Sequence, residues 1–491
     1  YKVNWSTVQS NTSFPQFPDL DGNGLLDFVE VTAGGACQVF QHCNSDDERL
    51  NTGKRQDLLN KIIYPYGGNT AIEYKASTQY RDDSGSPANK APYPIFTVSQ
   101  ITNSDGAGNN FNFFYNYQGG HYYYNGPFDR QFSGYKTVIQ TNGAGNITKT
   151  YYHTADESDS ALGEYNDEYW KIGKAYRVEM TDSPGYIYSK TINKWDSYDL
   201  GNGSKFVKLS QTINAAHDGN ATHRDSAESY DYDNNTGNQI QKIQWGEVLG
   251  NDDGSFSDIG SDKFTTDYAY ASNISAHIIG LPSKVAVVDQ NANKVKESKF
   301  YYDLQDSGSV IKGNLTKQED WKTGTAYINS QKTYNNYGLA TASIDPRGKT
   351  TQYVYDGYNL YPVEITNALN QSEQYAYNYS SGQVAQKIDS NNRVFQYIYD
   401  GLGRLIEEKQ PDIAVPSNLA TKNTYIYTDT PDAVSVKKFS YLDESNFVEM
   451  YTYFDGLGRK IQERAEAEGL NFSVKDYAYD NRGLLAKESL P

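Results

Sequence analysis

The sequence predicts an all-β protein, and three observations carry that expectation. Tyrosine-centred turn motifs recur at Tyr334, Tyr355, Tyr377 and Tyr399, in steps of 21, 22 and 22 residues. Tyrosine, a strand former whose ring packs while its hydroxyl stays wet, supplies 45 of 491 residues, against 2 methionines. Helix formers gather into no long amphipathic run, and short apolar stretches alternate with Gly, Asn and Asp clusters. The period is too short for a helical pair and suits two short strands joined by tight turns, so one hairpin unit is being copied. A single unit leaves its apolar face uncovered, and copies therefore stack into a wall, a shell or an extended surface.

Residues 1–35 read differently from the rest. Asp19, Asp21 and Asn23 alternate, Gly24 permits a sharp turn and Asp27 closes an acidic loop, after which Phe28-Val29-Glu30-Val31-Thr32 reads as a strand. Hard oxygen donors at this spacing suit Ca²⁺, with Asp19, Asp21, Asn23, Leu25 and Asp27 as the expected ligands. The pattern is similar to the calcium loops of FG-GAP or integrin-type β-propeller blades. An EF-hand is the competing reading, since Glu30 falls at the twelfth position from Asp19, but it needs flanking helices where a strand is expected. A metal-free Asx-rich turn is the third. Cys37 and Cys43 flank His42, and disulfide loop, free thiols and metal clip all remain open for them.

From about residue 50 the chain alternates strands and turns. Residues 58–74 have a hairpin pattern that reverses at Gly67-Gly68-Asn69, while 81–94 is a polar loop. Further strands are expected over 111–117 and 128–138, with hairpin turns at Gly106–Asn110 and Gly143–Asn146. Both glycine turns lack the helix that would make them phosphate loops. The stretch Thr154–Lys174, with Glu157, Glu164, Asp167 and Glu168, reads as a short helix or an acidic loop. Tyr230–Asn238 and Tyr301-Tyr302-Asp303 look like degenerate repeat turns.

The repeat sharpens towards the end. Tyr399-Asp400-Gly401-Leu402-Gly403-Arg404 and Phe454-Asp455-Gly456-Leu457-Gly458-Arg459 are near duplicates, and Tyr479-Asp480-Asn481-Arg482-Gly483-Leu484 is a third version. The aromatic ends a strand, the Asp-Gly or Asn-Asn pair tolerates the positive φ a tight turn requires, and the second Gly lets the chain re-enter a strand. Because Arg404 and Arg459 recur at one register, they are expected to clamp neighbouring turns rather than bind a substrate. This set strongly resembles the RHS/YD-repeat family. Upstream, Tyr64–Tyr74, Asp129–Tyr135, Tyr176-Arg177-Val178-Glu179 and Gly280–Val285 resemble the middle region of SpvB/TcB-like proteins, the toxin-complex B components.

The formal charge, 44 − 61 = −17, disfavours a nucleic acid or an anionic membrane as partner. No apolar run approaches the roughly 18 residues of a bilayer span, and no signal peptide opens the chain. His42, His121, His153, His217, His223 and His277 fit no zinc spacing and read as surface or sheet residues. No nucleophile elbow or P-loop is present, the Asp-Gly pairs read as turns, and Asp345-Pro346-Arg347-Gly348 lacks the longer core motif of the RHS-family autoprotease. No catalytic role is expected. A start at Tyr1 and a stop directly after a repeat fit a segment of a longer polypeptide.

The expected organisation is the remnant of a propeller-type blade with its calcium loop (1–35), a TcB-like middle domain (50–175), a β-rich region with degenerate repeats (176–330) and an RHS/YD-repeat hairpin shell (331–491). The resemblance implies a non-catalytic shell that encloses a C-terminal toxin polypeptide. By the same resemblance it implies an A-type pore-forming component and a C-type component as partners, and a secreted bacterial protein, cytoplasmic before release. The alternative is a secreted or cell-surface adhesion or carbohydrate-binding protein whose tyrosine-rich sheet is the working surface.

Overall fold

The computed structural model describes residues 58–81, 93–412, 415–430, 433–443 and 445–490, with 13–16, 29–32, 37–38 and 470 described by backbone alone. The protein is all-β. Near the N-terminus Ser13–Gln16, Val29–Thr32 and Cys37–Gln38 form a small antiparallel sheet, so a strand does follow the acidic loop. Asp19, Asp21, Asn23, Leu25, Asp27 and Cys43 lie outside the described residues.

From Lys61–Ile63 to Leu485–Glu488 the chain is one antiparallel meander in which each strand pairs with its neighbours in sequence. At one place the pattern branches: Phe256–Asp258 and Phe264–Asn273 both pair with Gln239–Gly250. The last hairpins return to the first through their turns: Gly68 N–H donates to Gly456 O and Gly456 N–H to Asp105 O. The hairpin read over 58–74 is present, with Ile63 opposite Asn69. Strands in the first half reach 15 residues, as in Asn110–Tyr124 and Ile187–Gly201, whereas the repeat strands run to 4–10. Gly119 shows how a long strand accommodates curvature. It has φ +63°, and a Cβ there would stand 2.9 Å from Lys136 Cβ, next to a register shift at His121/Tyr122.

Thr154–Lys174 is a loop with two short 3₁₀ turns, Ser160–Leu162 and Tyr169–Lys171. It folds back over the strands beside it. Gly163 approaches Ile192, and Arg177 donates to the carbonyls of Leu162 and Asp252, at 3.3 and 3.2 Å. Beneath this cover Ile192, Ile213, Ala227 and Val248 form a buried cluster with Trp245 and Phe256 against it. A second cluster, Ala271, Tyr302 and Val310, sits under the loop that follows Tyr302.

Candidate functional site

Three devices repeat along the sheet and hold its hairpins in register. The first is the aspartate of each turn. Asp400 Oδ1 accepts from the backbone N–H groups of Leu402 and Arg404, both at 2.9 Å, and Asp455 Oδ1 accepts from Leu457 and Arg459 at 3.0 and 2.9 Å. Asp345, Asp356, Asp389 and Asp480 do the same, as do Asn335 and Asn367. The short side chain reaches its own turn's amides two and four residues on, which is why Asp or Asn is required there. The hydrogen bond from the Arg404 amide, joined by its guanidinium, holds the Asp400 carboxyl below the usual carboxylate range. Asp105, Asn142 and Asp289 build the same turn well before the regular repeats.

The second device is the tyrosine hydroxyl. Tyr355, Tyr377 and Tyr399 donate to the carbonyls of Ala340, Pro362 and Val384 at 3.1, 3.0 and 3.0 Å, in each case fifteen residues back. Tyr302, Tyr334, Tyr427 and Tyr479 reach an earlier strand in the same way. Each of the first three hydroxyls thus ties the end of its strand to the start of the strand paired before it.

The third is the arginine four residues after the turn aspartate. Arg404 Nε donates to Asp400 Oδ2 at 2.7 Å and Nη1 to Asp429 Oδ2 at 2.7 Å, and the guanidinium lies 4.3 Å from the Tyr427 ring. Both arginines clamp neighbouring turns, as the shared register implied.

Arg459 does so across the join of the sheet. Its guanidinium is packed between Tyr479 and Phe111, at 4.2 and 4.3 Å from their rings, and approaches Asp105 at 3.9 Å. Gly68 N–H donates to Gly456 O at 3.1 Å and Gly456 N–H to Asp105 O at 2.7 Å. A Cβ on Gly456 would stand 2.3 Å from Gly68 N, so both positions exclude any side chain. Asp455, in this turn, is 5% exposed.

One buried cluster carries no recognisable motif in the sequence. His153 and His217 are buried rather than at the surface. His153 Nδ1 lies 3.0 Å from Asp167 Oδ1 and 3.5 Å from Glu164 Oε1, because the loop between them doubles back. Only the acidic character of the 154–174 stretch hinted at it. Among the described residues, His153, Glu164 and Asp167 are the group with donor atoms close enough to hold a metal ion.

Residues 1–161 match the family model described as "Insecticide toxin TcdB middle/N-terminal region". No curated protein matches the chain. Among solved structures, a chain of the TcdB2-TccC3 complex matches at 12% identity with TM-score 0.69, covering 96% of this chain and 33% of that one. The TcdB2-TccC3-Cdc42 complex matches at 12% identity and TM-score 0.72 over 97% and 35%. The Photorhabdus luminescens Tc holotoxin pore matches at 12% identity and TM-score 0.69 over 98% and 33%. The chain thus spans about a third of the length of these solved chains. Among the described residues no helix is long and apolar enough to cross a membrane. Its first third is thus similar to the middle/N-terminal region of the insecticide toxin TcdB, and over nearly its whole length the chain shares the fold of the TcdB2-TccC3 chain.

Proposed function

We propose that this chain is a segment of a non-catalytic B-type shell that encloses a toxin polypeptide and works with A-type pore-forming and C-type components. The supporting observation is the join at Gly68, Asp105 and Gly456, where turns from the two ends of the sheet meet through backbone hydrogen bonds, as the ends of a closing wall would. Such a wall isolates an unfolded chain from solvent and protease by geometry alone. Co-expression with a C-type partner carrying a toxin tail tests this. The tail should survive protease in the assembled complex and be degraded when Gly456→Val opens the join; a tail cut equally fast in both would end the reading.

The adhesion alternative has one observation in its favour, the exposed tips Tyr337, Tyr358 and Tyr379 on one rim. They stand on turns, whereas the strand-end tyrosines spend their hydroxyls on neighbouring carbonyls, so the shell reading is preferred. At the N-terminus, we propose Ca²⁺ bound by Asp19, Asp21, Asn23, Asp27 and the main-chain oxygen of Leu25. Calcium titration of the Asp21→Asn variant tests it: a Ca²⁺ response equal to the parent's would remove this site. We place the protein outside the bacterial cell, after assembly in the cytoplasm.

A further inference from the structure

The loop between Ile147–Tyr152 and Ala175–Thr181 carries an unusual set of buried polar groups. His153, Thr154, Glu164, Lys171 and Tyr176 are each no more than 1% exposed. Lys171 is satisfied: its ammonium donates to the carbonyls of Tyr165 and Asn166 at 2.8 and 2.6 Å. Asp167 is also well served, with Oδ2 accepting from the Asp156 and Thr154 amides at 2.9 and 3.4 Å, while Oδ1 faces His153.

The rest of the set is not satisfied. Glu164 Oε2 accepts from the Asp159 amide at 2.7 Å, but Oε1, pointing at His153, has no hydrogen-bond partner. The Thr154 and Tyr176 hydroxyls are likewise unpartnered. The Tyr176 ring lies 5.3 Å from the imidazole. Buried polar atoms without partners cost roughly 1–3 kcal/mol each, and several in one place call for an occupant.

Charge identifies the occupant. The Glu164 and Asp167 carboxylates carry two negative charges, and Lys136 brings one positive charge at 3.4 Å from Glu164 Oε2. The Lys136 side chain is 25% exposed and also donates to the Glu157 carbonyl, so it can leave for solvent; the Glu164 carboxylate, at 0%, cannot. Two fixed carboxylates balance one divalent cation. One imidazole nitrogen and two carboxylate oxygens make a borderline donor set, which suits Zn²⁺, Mn²⁺ or Co²⁺ better than Ca²⁺ or Mg²⁺.

We propose that His153 Nδ1, Glu164 Oε1 and Asp167 Oδ1 form a binding site for a divalent transition metal, which pins the 154–174 loop onto the sheet, with Lys136 as the cation that yields its place. The remaining coordination positions fall to water, held by the hydroxyls of Thr154 and Tyr176. The ion closes a loop rather than a reaction, and its expected signature is stability.

The test uses the 491-residue chain, untagged, stripped with chelator and carrying Cys37→Ser and Cys43→Ser so that thiols and His42 contribute no second site. Zn²⁺ and Co²⁺ are titrated by calorimetry, with Co²⁺ also followed by visible absorption. One equivalent is expected, with a rise in melting temperature that chelator reverses. Glu164→Gln, nearly isosteric, should weaken uptake by at least about a hundredfold. Lys136→Gln leaves every ligand in place and should tighten uptake by about tenfold, because a like charge a few ångströms away is removed. An ordinary ion-pair cluster behaves oppositely, since losing Lys136 would only destabilise it. No uptake by the parent, or uptake unchanged or weakened in Lys136→Gln, would overturn the site.

Discussion

The two halves of this sheet are built on different principles. Up to Val310 the buried apolar residues include Tyr135, Tyr151, Tyr176, Ile192, Ile213, Val248 and Tyr302; beyond it, among the described residues, Val434 is the one buried apolar residue. The first half lays loops over its strands and so acquires a second layer and a core. The repeat half is a single layer, held by turn aspartates, tyrosine hydroxyls and arginine clamps. A single layer suits a wall whose two faces meet different surroundings. It also means that stability there is divided among many small, equivalent contacts, whereas in the first half it is concentrated.

The sharpest break of that contrast is a core deletion. Ile213→Ala empties the centre of the cluster with Ile192, Ala227 and Val248 and should cost about 2–5 kcal/mol. Val354→Ala in the repeats, at a position 53% exposed, should cost about 0.5 kcal/mol or less. A chain of this size need not unfold in one step, so amide hydrogen exchange in each half is the better readout. Equal losses in the two halves would show that the repeats hide a core of their own.

The join offers a controlled experiment within one motif. Gly401 and Gly456 hold the same place in their turns, yet a Cβ on Gly401 meets nothing within 4 Å, while on Gly456 it would lie 2.4 Å from Asp105 O. Gly456→Ala should therefore cost about 1–3 kcal/mol and release the Gly68 amide to exchange, and Gly401→Ala should be nearly silent. Similar behaviour of the two variants would mean that the turns do not meet in solution.

These differences show what the sequence made legible. The repeat turns were readable because their chemistry is local: an Asp or Asn binds amides two and four residues on, and the pattern is written in consecutive letters. The same turn at Asp105 and Asn142 was legible only as glycine-rich hairpins, and at Asp289, where Gln290-Asn291-Ala292 brings no glycine, it was not legible at all, since no tyrosine ladder marks it. The pairing of Asp105 with Arg459, and of Gly68 with Gly456, depends on how far the sheet curls, which no local pattern records. The His153 cluster was hidden for the opposite reason. Its members lie close in sequence at unequal intervals, and a loop of irregular path, not a period, brings them together.

Next in size is the tyrosine ladder. Replacing Tyr355, Tyr377 or Tyr399 by Phe keeps the ring, including the stack of Tyr377 on Tyr361 at 4.6 Å, and removes only the bond to the carbonyl fifteen residues back. Each should cost about 0.5–1.5 kcal/mol, read as faster exchange confined to the adjoining hairpin. Tyr302→Phe, which loses the bond to Pro282 O in the cored half, should cost about the same. A loss that spread through all the repeats would make the wall one cooperative unit rather than a row of equivalent ones.

The smallest effect near neutrality is that of pH, and both halves should share its sign. Glu297 sits 5% exposed with Lys284 and Lys294 each at 3.2 Å, and accepts a hydrogen bond from Tyr327. Burial pushes its carboxyl up, but the Tyr327 hydroxyl and the two ammonium groups outweigh that and bring it from the usual 4.5 to about 2. The turn carboxyls of Asp400 and Asp480 are also held low, the first chiefly by the Arg404 amide and the second chiefly by the Arg482 guanidinium. For a depressed carboxyl the unfolded chain takes up its proton first as pH falls, so the stabilisation is complete above the unfolded value and disappears as pH drops through the folded one. For Glu297 that window runs from 4.5 down to about 2. The melting temperature should therefore hold level under mild acid and drop steeply only within the window. Glu297→Gln should flatten the drop in the first half and Asp400→Asn with Asp480→Asn in the second, each without touching the other. If Glu297→Gln leaves the acid limb of the first half unchanged, the two lysines are solvated rather than paired, and acid resistance in both halves rests on the turns alone.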